Sequence, residues 1–412
     1  MIKEAALKWI PERFEELVRY GHFQGPGEAI ANEEYKARVE LANKKIEEEG
    51  LDALIVFGDC YRMSNIRWLV NYRTIDGVYP QPMLMYLVPG RDPVLFLPSS
   101  EIPSAHGSSA MKVLGEDIRE IRSEWAPFLK ERAEKDKPKK VGISGWAFMD
   151  LEFWFPINDA LYEADIQRSH IIENLKSVKN DAEIASMRRA ARVSDAGIQM
   201  LMDLLRDSEG ITELEATSLV YAAMFANGGH SIAYDIMIQA GEHTDVLFKR
   251  PTERPINRGD LVMMDYGIRV NDYASDNART ICYGNVTDEA KRIMEACSLG
   301  YEDCLQKIQA GMTGIEADRV IKEAFQKYGV AEYLVEVSEG RTGAHATGMD
   351  PEEEIPEIGP ACDNVLQENQ TFAYELSLIV PGIGGVRTED QVIVRKNGLE
   401  PLHTFNRFLY VD

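Results

Sequence analysis

PINRGDLVMMDYGIRVNDYASDNARTICYG, residues 255–284, puts two aspartates on what reads as one β-hairpin. LVMMDYGI is apolar and strand-like, NDY has turn chemistry, and YASDNARTICY runs back toward Gly284. A turn centred between Val270 and Asn271 predicts that Asp265 and Asp276 lie opposite each other, with Cβ atoms about 5 Å apart. Two like charges at that distance weaken a sheet unless a cation sits between them. The alternative is that one aspartate faces solvent or the register slips.

The pattern recurs in FAYELSLIVPGIGGVRTEDQVIV, residues 372–394, where Glu375 and Glu389 flank a Pro-Gly turn. A hairpin centred on Gly382 predicts that these two glutamates face each other. Between the hairpins lies GRTGAHATGMD, residues 340–350, with His345 among small residues that let backbone approach closely. Four carboxylates and one imidazole form a hard, oxygen-rich set. It suits Mn, Fe, Co or Zn in a two-metal site with ions roughly 3.5–4 Å apart, and argues against a thiolate-type structural zinc.

Working outward, 412 residues with 45% hydrophobic content imply a folded chain of two domains. A formal charge of −23 argues against nucleic acid and anionic membranes as partners. No apolar run approaches the roughly 20 residues that span a bilayer, and MIKEAALKWIPERFEEL scatters charges where a signal peptide has an apolar core, so the expected location is cytoplasmic. Cys60, Cys282, Cys297, Cys304 and Cys362 are an odd number without a CxxC, which fits reduced thiols.

WIPERFEELVRYGHFQG, residues 9–25, reads as an amphipathic helix. From Asn32 a long helix runs to a stop at Gly50, and ALIVFGD follows as a buried strand. MLMYLVPGRDPVLFLPSS adds two strands, SEWAPFLKERAEKDK a helix and KKVGISG another strand, giving an α/β domain over residues 1–170 and a second domain over 171–412. The second domain carries a loose internal repeat: two helices (180–205, 212–229) and then two more (287–308, 314–329), each pair leading into a carboxylate-bearing hairpin. Leu214-Glu215-Ala216 matches Ile315-Glu316-Ala317, and Asp181 matches Asp288. A duplicated α/β unit with the site between its halves accounts for this; chance similarity of amphipathic helices is the alternative.

Taken together, GDLVMMDYGIRVNDYASDNART, the His345 segment and GVRTEDQVIV resemble the creatinase/prolidase/aminopeptidase P family, the pita-bread metallopeptidases. The resemblance implies an α/β (α+β) chain, with a creatinase-like N-terminal domain and a C-terminal pita-bread catalytic domain of internal pseudo-twofold symmetry. It implies Asp265, Asp276, His345, Glu375 and Glu389 as ligands of two divalent metal ions, with manganese expected and iron, cobalt or zinc the other candidates. It further implies a homodimer and a small-molecule or dipeptide substrate. Two positions depart from the pattern. Phe248 stands seventeen residues before Asp265, and Glu352 seven after His345, where the family carries histidines. His230 or His243 can replace one of them only if the loop between them and Asp265 is arranged differently.

The leading functional expectation is a metal-dependent hydrolase cleaving a C–N bond of a small polar substrate, with Glu375 as ligand and proton carrier. A lyase of the dimethylsulfoniopropionate-cleaving type is the alternative on the same fold, with Asp350 or Glu352 as base. A metal-free binding protein is the third, disfavoured because unpaired buried carboxylates are costly. Phe248, His243 and Arg387 are candidate substrate contacts. In YRMSNIRWLVNYRTIDGVYP, Arg62, Arg67 and Arg73 alternate with Tyr61, Trp68 and Tyr72, a mixture suited to a substrate carboxylate beside an apolar group, and Arg73 is the candidate taken from it.

Overall fold

The structure, a computed structural model, describes residues 30–75, 80–107, 109–336 and 342–412. The helix expected at 9–25 lies outside them. The chain divides into two compact units that meet in sequence at Lys176 and Ser177.

Among the described residues the first unit is built on a six-stranded sheet of order β4-β3-β2-β1-β5-β6. The strands are β1 (Ala53–Gly58), β2 (Met83–Leu87), β3 (Val94–Leu97), β4 (Ile118–Glu120), β5 (Lys140–Ser144) and β6 (Asp165–Arg168). The helix Asn32–Glu48 opens with Glu33 and Glu34, which complement its N-terminal dipole, and Gly50 at φ +68° turns the chain out of it into β1. Every residue of β1 is buried, as its uninterrupted apolar run requires. Phe96, Trp125 and Phe128 pack edge-on and stacked in the core of this unit. The arginine and aromatic stretch is partly helical: Ser64–Val70 is a buried helix, Arg67 donates to the Tyr35 hydroxyl at 3.2 Å, and Arg62 lies over the Phe148 ring.

The second unit holds a nine-stranded sheet whose main path runs β14-β13-β15-β16-β12-β9-β8. These are β8 (Met237–Ala240), β9 (Leu261–Tyr266), β12 (Asn277–Tyr283), β13 (Ala344–Ala346), β14 (Glu353–Glu357), β15 (Thr371–Val380) and β16 (Gly384–Arg395). Short β7 (Ser231–Ile232), β10 (Ile268–Val270) and β11 (Tyr273–Ala274) form a separate small sheet, while β17 (Gly398–Pro401) and β18 (Leu409–Val411) flank β16 and β12.

Read from the central β12/β16 seam, β12-β9-β8 on one side mirrors β16-β15-β13 on the other. The helices repeat as well. Glu213–Ala226 and Gly314–Lys327 each have 14 residues and a capping box, Thr212 with Glu215 and Thr313 with Glu316. The matched Leu-Glu-Ala and Ile-Glu-Ala triplets are therefore the N-terminal turns of equivalent helices. Each half has its own apolar core, one including Leu201, Val220, Met264 and Ile281, the other Ile293, Ile321, Phe325 and Leu376. Side chains of this kind contribute about 1.5–3 kcal/mol each on full burial, enough to hold a rigid sheet behind a polar face.

The two hairpins differ in how they turn. In the second, Gly382 sits at φ +78° and Glu375 pairs directly with Glu389, as the spacing predicts. The first corrects the expected register. Asn271 and Asp272 both have positive φ, 52° and 64°, and make a two-residue turn with Val270 opposite Tyr273. The turn centre thus falls between Asn271 and Asp272, Asp265 pairs with Ala278, and Asp276 is displaced by two residues from the expected opposition. A shift of two keeps each side chain on its original face.

Candidate metal centre

Partners across a ladder share a face of the sheet, and so do residues two apart in one strand. Asp265 pairs with Ala278, Ala278 with Glu389, Glu389 with Glu375, and His345 with Ala373, two residues before Glu375. Asp276 precedes Ala278 by two. All five expected ligands therefore project from one face, and all five are buried. Asp276, His345 and Glu389 each offer a ligand atom, and these lie within 4.8 Å of one another. His345 Nε2 is 3.6 Å from Asp276 Oδ2, 3.8 Å from Glu389 Oε1 and 4.0 Å from Glu375 Oε2.

The electrostatics of this face are those of a site short of positive charge. Burial, and next the charge of Asp265, push the Asp276 carboxyl well above its usual range. Burial and the charge of Asp276 do the same to Glu389. Burial also raises Glu375, against the pull of Arg387. Glu389 Oε2 and His345 Nδ1 are buried and make no hydrogen bond among the described residues. An orphaned carboxylate oxygen amid crowded carboxylates, with an imidazole Nε2 facing them, is what a set of cation ligands looks like without its cations, so the residues fit divalent ions.

Two side chains organise the cluster. Arg387 is 0% exposed and donates to Asp265, to Ser377 Oγ at 2.9 Å and to the Leu247 carbonyl at 2.9 Å, with Nε 3.0 Å from Glu375 Oε1. Its guanidinium faces protein groups, so it reaches a substrate only through the carboxylates it holds, unlike the direct contact expected of it. Tyr234, absent from the sequence reading, donates toward Asp265 at 2.8 Å and Asp276 at 2.5 Å. Burial and both aspartate charges hold its phenol well above the usual range. The available signal was slight: a tyrosine in an apolar stretch just before β8, whose Met237 pairs with Asp265.

The remaining candidates are dispersed. Phe248 is 56% exposed, with the Arg387 guanidinium 5.3 Å from its ring centroid. Glu352 is exposed, and its charge is among those raising Asp276. Asp350 is buried in the turn between β13 and β14. His243 holds Glu213 through Nδ1 at 3.0 Å, and that carboxylate also accepts from Ala240 N and Thr252 N, so the imidazole anchors a loop. His230 is exposed and accepts from Asn271 N at the first hairpin turn. Arg73 belongs to the first unit, with Nη1 4.0 Å from Met63 Sδ.

Behind the sheet the motif residues do something else. Arg279 and Asp390 are both 0% exposed and pair across the β12/β16 seam at 2.5 Å. Arg279 also donates to the carbonyls of Glu389 and Asn406, and Arg407 closes on the other oxygen of Asp390 at 2.8 Å. This ion cluster bolts together β12, which begins directly after Asp276, and β16, which carries Glu389.

Comparison with known proteins agrees with this geometry. The model of metallopeptidase family M24 matches residues 185–396, and that of the creatinase/prolidase N-terminal domain matches 38–175. An Xaa-Pro dipeptidase of Lactobacillus delbrueckii subsp. lactis is 28% identical over 347 residues, 81% of this chain and 90% of that protein. An Xaa-Pro dipeptidase of Pyrococcus furiosus is 25% identical over 378 residues, 91% and 99% of the two chains. Among solved structures, an Xaa-Pro dipeptidase from Bacillus anthracis superposes with a TM-score of 0.79 at 23% identity, covering 92% of this chain and 100% of its own. An X-Pro aminopeptidase from Thermotoga maritima gives 0.77 at 22% identity, covering 91% and 99%. With the family model spanning more than half of the chain and the fold matched along nearly all of it, the protein belongs to metallopeptidase family M24, a metallohydrolase of the creatinase/prolidase/aminopeptidase P group with the pita-bread fold.

Proposed function

We propose that this chain is a dinuclear metallohydrolase that cleaves a C–N bond in a dipeptide or another small polar amide, with Asp265, Asp276, His345, Glu375 and Glu389 as the ligands of two divalent ions. The observation that carries the reading is the convergence of these side chains on one face, with Glu389 Oε2 left unpartnered and His345 Nε2 within 3.6–4.0 Å of Asp276, Glu389 and Glu375. Bound divalent ions would supply Lewis acidity at the scissile carbonyl and bring the pKa of a water toward neutrality.

The protein's own part is orientation and proton handling. Tyr234 holds Asp265 and Asp276 in one arrangement, and Arg387, on the same face as Glu389, fixes Asp265 and Glu375. Glu375, its carboxyl raised by burial, is suited to take a proton from water and return it to the leaving nitrogen. His345 would supply a nitrogen ligand. Manganese is the ion we assign first, from the carboxylate-rich set.

Phe248 and Glu352 occupy positions where the family resemblance implies imidazoles, and Phe248 offers no hydrogen-bond donor. One donor to a developing oxyanion is typically worth about 10²–10³ in turnover. Xaa-Pro dipeptides, the substrates in the names of the relatives, are therefore expected to be slow substrates. The test is to assay metal-loaded protein on Xaa-Pro dipeptides, N-acyl amino acids and small guanidino or betaine-like acids, with products identified by mass. Hydrolysis of a C–N bond that disappears with chelation is the expected result. Loss of a β-substituent without water uptake would replace hydrolysis by elimination, and a kcat/KM of about 10⁴ M⁻¹s⁻¹ or more on an Xaa-Pro dipeptide would overturn the expected slowness.

A further inference from the structure

Resting on that reading, the charge of the substrate is legible at the solvent edge of the cluster. The turn after β13 is pinned over the first hairpin: Ala274 N donates to the Gly348 carbonyl at 2.8 Å, and Arg269 Nε to the Met349 carbonyl at 3.2 Å. Ala274 is two residues from Asp276, so the turn lies beside that ligand. Within it, Glu353 points inward, buried against Lys179 at 3.1 Å and accepting from Met349 N at 3.0 Å. Glu352, its neighbour, points the other way and is exposed. Among the described residues Glu352 forms no ion pair and no side-chain hydrogen bond. Its carboxylate is thus open to solvent on the turn that lies beside Asp276.

At the Arg387 side of the cluster, Phe248 presents a ring that is 56% exposed, with Arg387 beneath it at 5.3 Å. The guanidinium lies over the ring, and the residue is otherwise largely exposed. An aromatic face attracts cations and does nothing for an anion. The surroundings of the cluster thus offer an open carboxylate on the Asp276 side and an exposed aromatic ring on the Arg387 side.

We propose that Glu352 is a specificity-determining residue that selects substrates carrying a cationic group, an ammonium, guanidinium or onium, outside the scissile bond, with the exposed ring of Phe248 adding to the same preference.

The experiment compares matched dipeptides bearing lysine, norleucine or glutamate on either side of the scissile bond, in Xaa-Pro and Xaa-Ala series and their reverses, with manganese-loaded protein. Wild type is expected to show a kcat/KM ratio of lysine to glutamate substrate of about tenfold or more at low salt, shrinking as salt is added because the pair is solvent-exposed. Glu352→Gln should bring the ratio to within about threefold of unity, and Glu352→Lys should invert it. Phe248→Leu should reduce the lysine over norleucine preference by about two- to fivefold.

A ratio unchanged in Glu352→Gln and Glu352→Lys overturns the proposal. So does an equal loss on all substrates, which would make Glu352 a proton carrier instead. If no dipeptide turns over, norleucine series included, the dipeptide part of the hydrolase reading fails, and binding still decides the charge question. Butylguanidinium should then bind wild type more tightly than Glu352→Gln, and butyrate the reverse. Equal affinities would overturn the proposal independently of catalysis.

Discussion

Glu389 and Asp390 are neighbours on β16, both essentially without exposure, and they face opposite sides of the sheet. Burial works to raise both carboxyls. For Asp390 the guanidiniums of Arg279 and Arg407 outweigh it and hold the group below its usual range. For Glu389 the neighbouring charges of Asp276, Glu375 and Asp265 add to it, and Arg387 cannot compensate. The back of the sheet is therefore electrostatically complete within the chain, whereas the front requires cations from outside. One face is structural and the other is chemical, although the two residues share a motif.

Paired substitutions can break this contrast. Asp276→Asn, on the front, should reduce metal-dependent turnover by more than the roughly 10–100-fold typical of outer-shell partners, while far-ultraviolet circular dichroism stays native. Unchanged activity would remove Asp276 from the site. Asp390→Asn, on the back, should instead act on folding: the buried Arg279 guanidinium loses its counter-charge and Arg407 one of its two, at a cost of about 3–5 kcal/mol read by denaturant unfolding. Equal stability to wild type would show that the Arg279 cluster is not what joins the two halves.

A smaller effect is expected at Tyr234. Tyr234→Phe removes the hydroxyl between Asp265 and Asp276, and metal affinity measured by competition with a chelator should fall about 10–100-fold. No change would mean that Arg387 and the sheet suffice to position both aspartates.

The pH dependence should also divide by face. Asp276, Glu375 and Glu389 have folded-state pKa values raised above those of the unfolded chain, near 4. In metal-free protein their favourable contribution is full below about pH 4 and is lost as pH rises through the raised values. Asp390, lowered, contributes above that range and loses its contribution only as pH falls through its folded value. Chelated protein should therefore gain a few degrees in Tm from pH 8 to pH 5, and metal-loaded protein should not. A Tm of chelated protein independent of pH across this range would contradict the account of the front face.

How much of this was legible in sequence depends on turn chemistry. The Pro-Gly hairpin gave its register correctly because a single glycine marks the centre. The Asn-Asp hairpin was displaced by two residues because both turn residues adopt left-handed backbone, which the string NDY only suggests. The site survived that error because an even displacement preserves the face. Tyr234 and the inward role of Arg387 were not legible: each depends on contacts 31 to 140 residues away along the chain, set by how the two halves close. The helical burial of Arg67 similarly arises from packing against Tyr35, which no local pattern encodes.

The central claim, that the front face is a binding site for a pair of cations, is tested most directly by counting them. Chelator-treated protein titrated with Mn²⁺ by calorimetry, with bound metal verified by elemental analysis, should take up two ions per chain, and Glu389→Gln should bind fewer or bind more weakly. Uptake near zero in the folded wild-type protein would contradict the account.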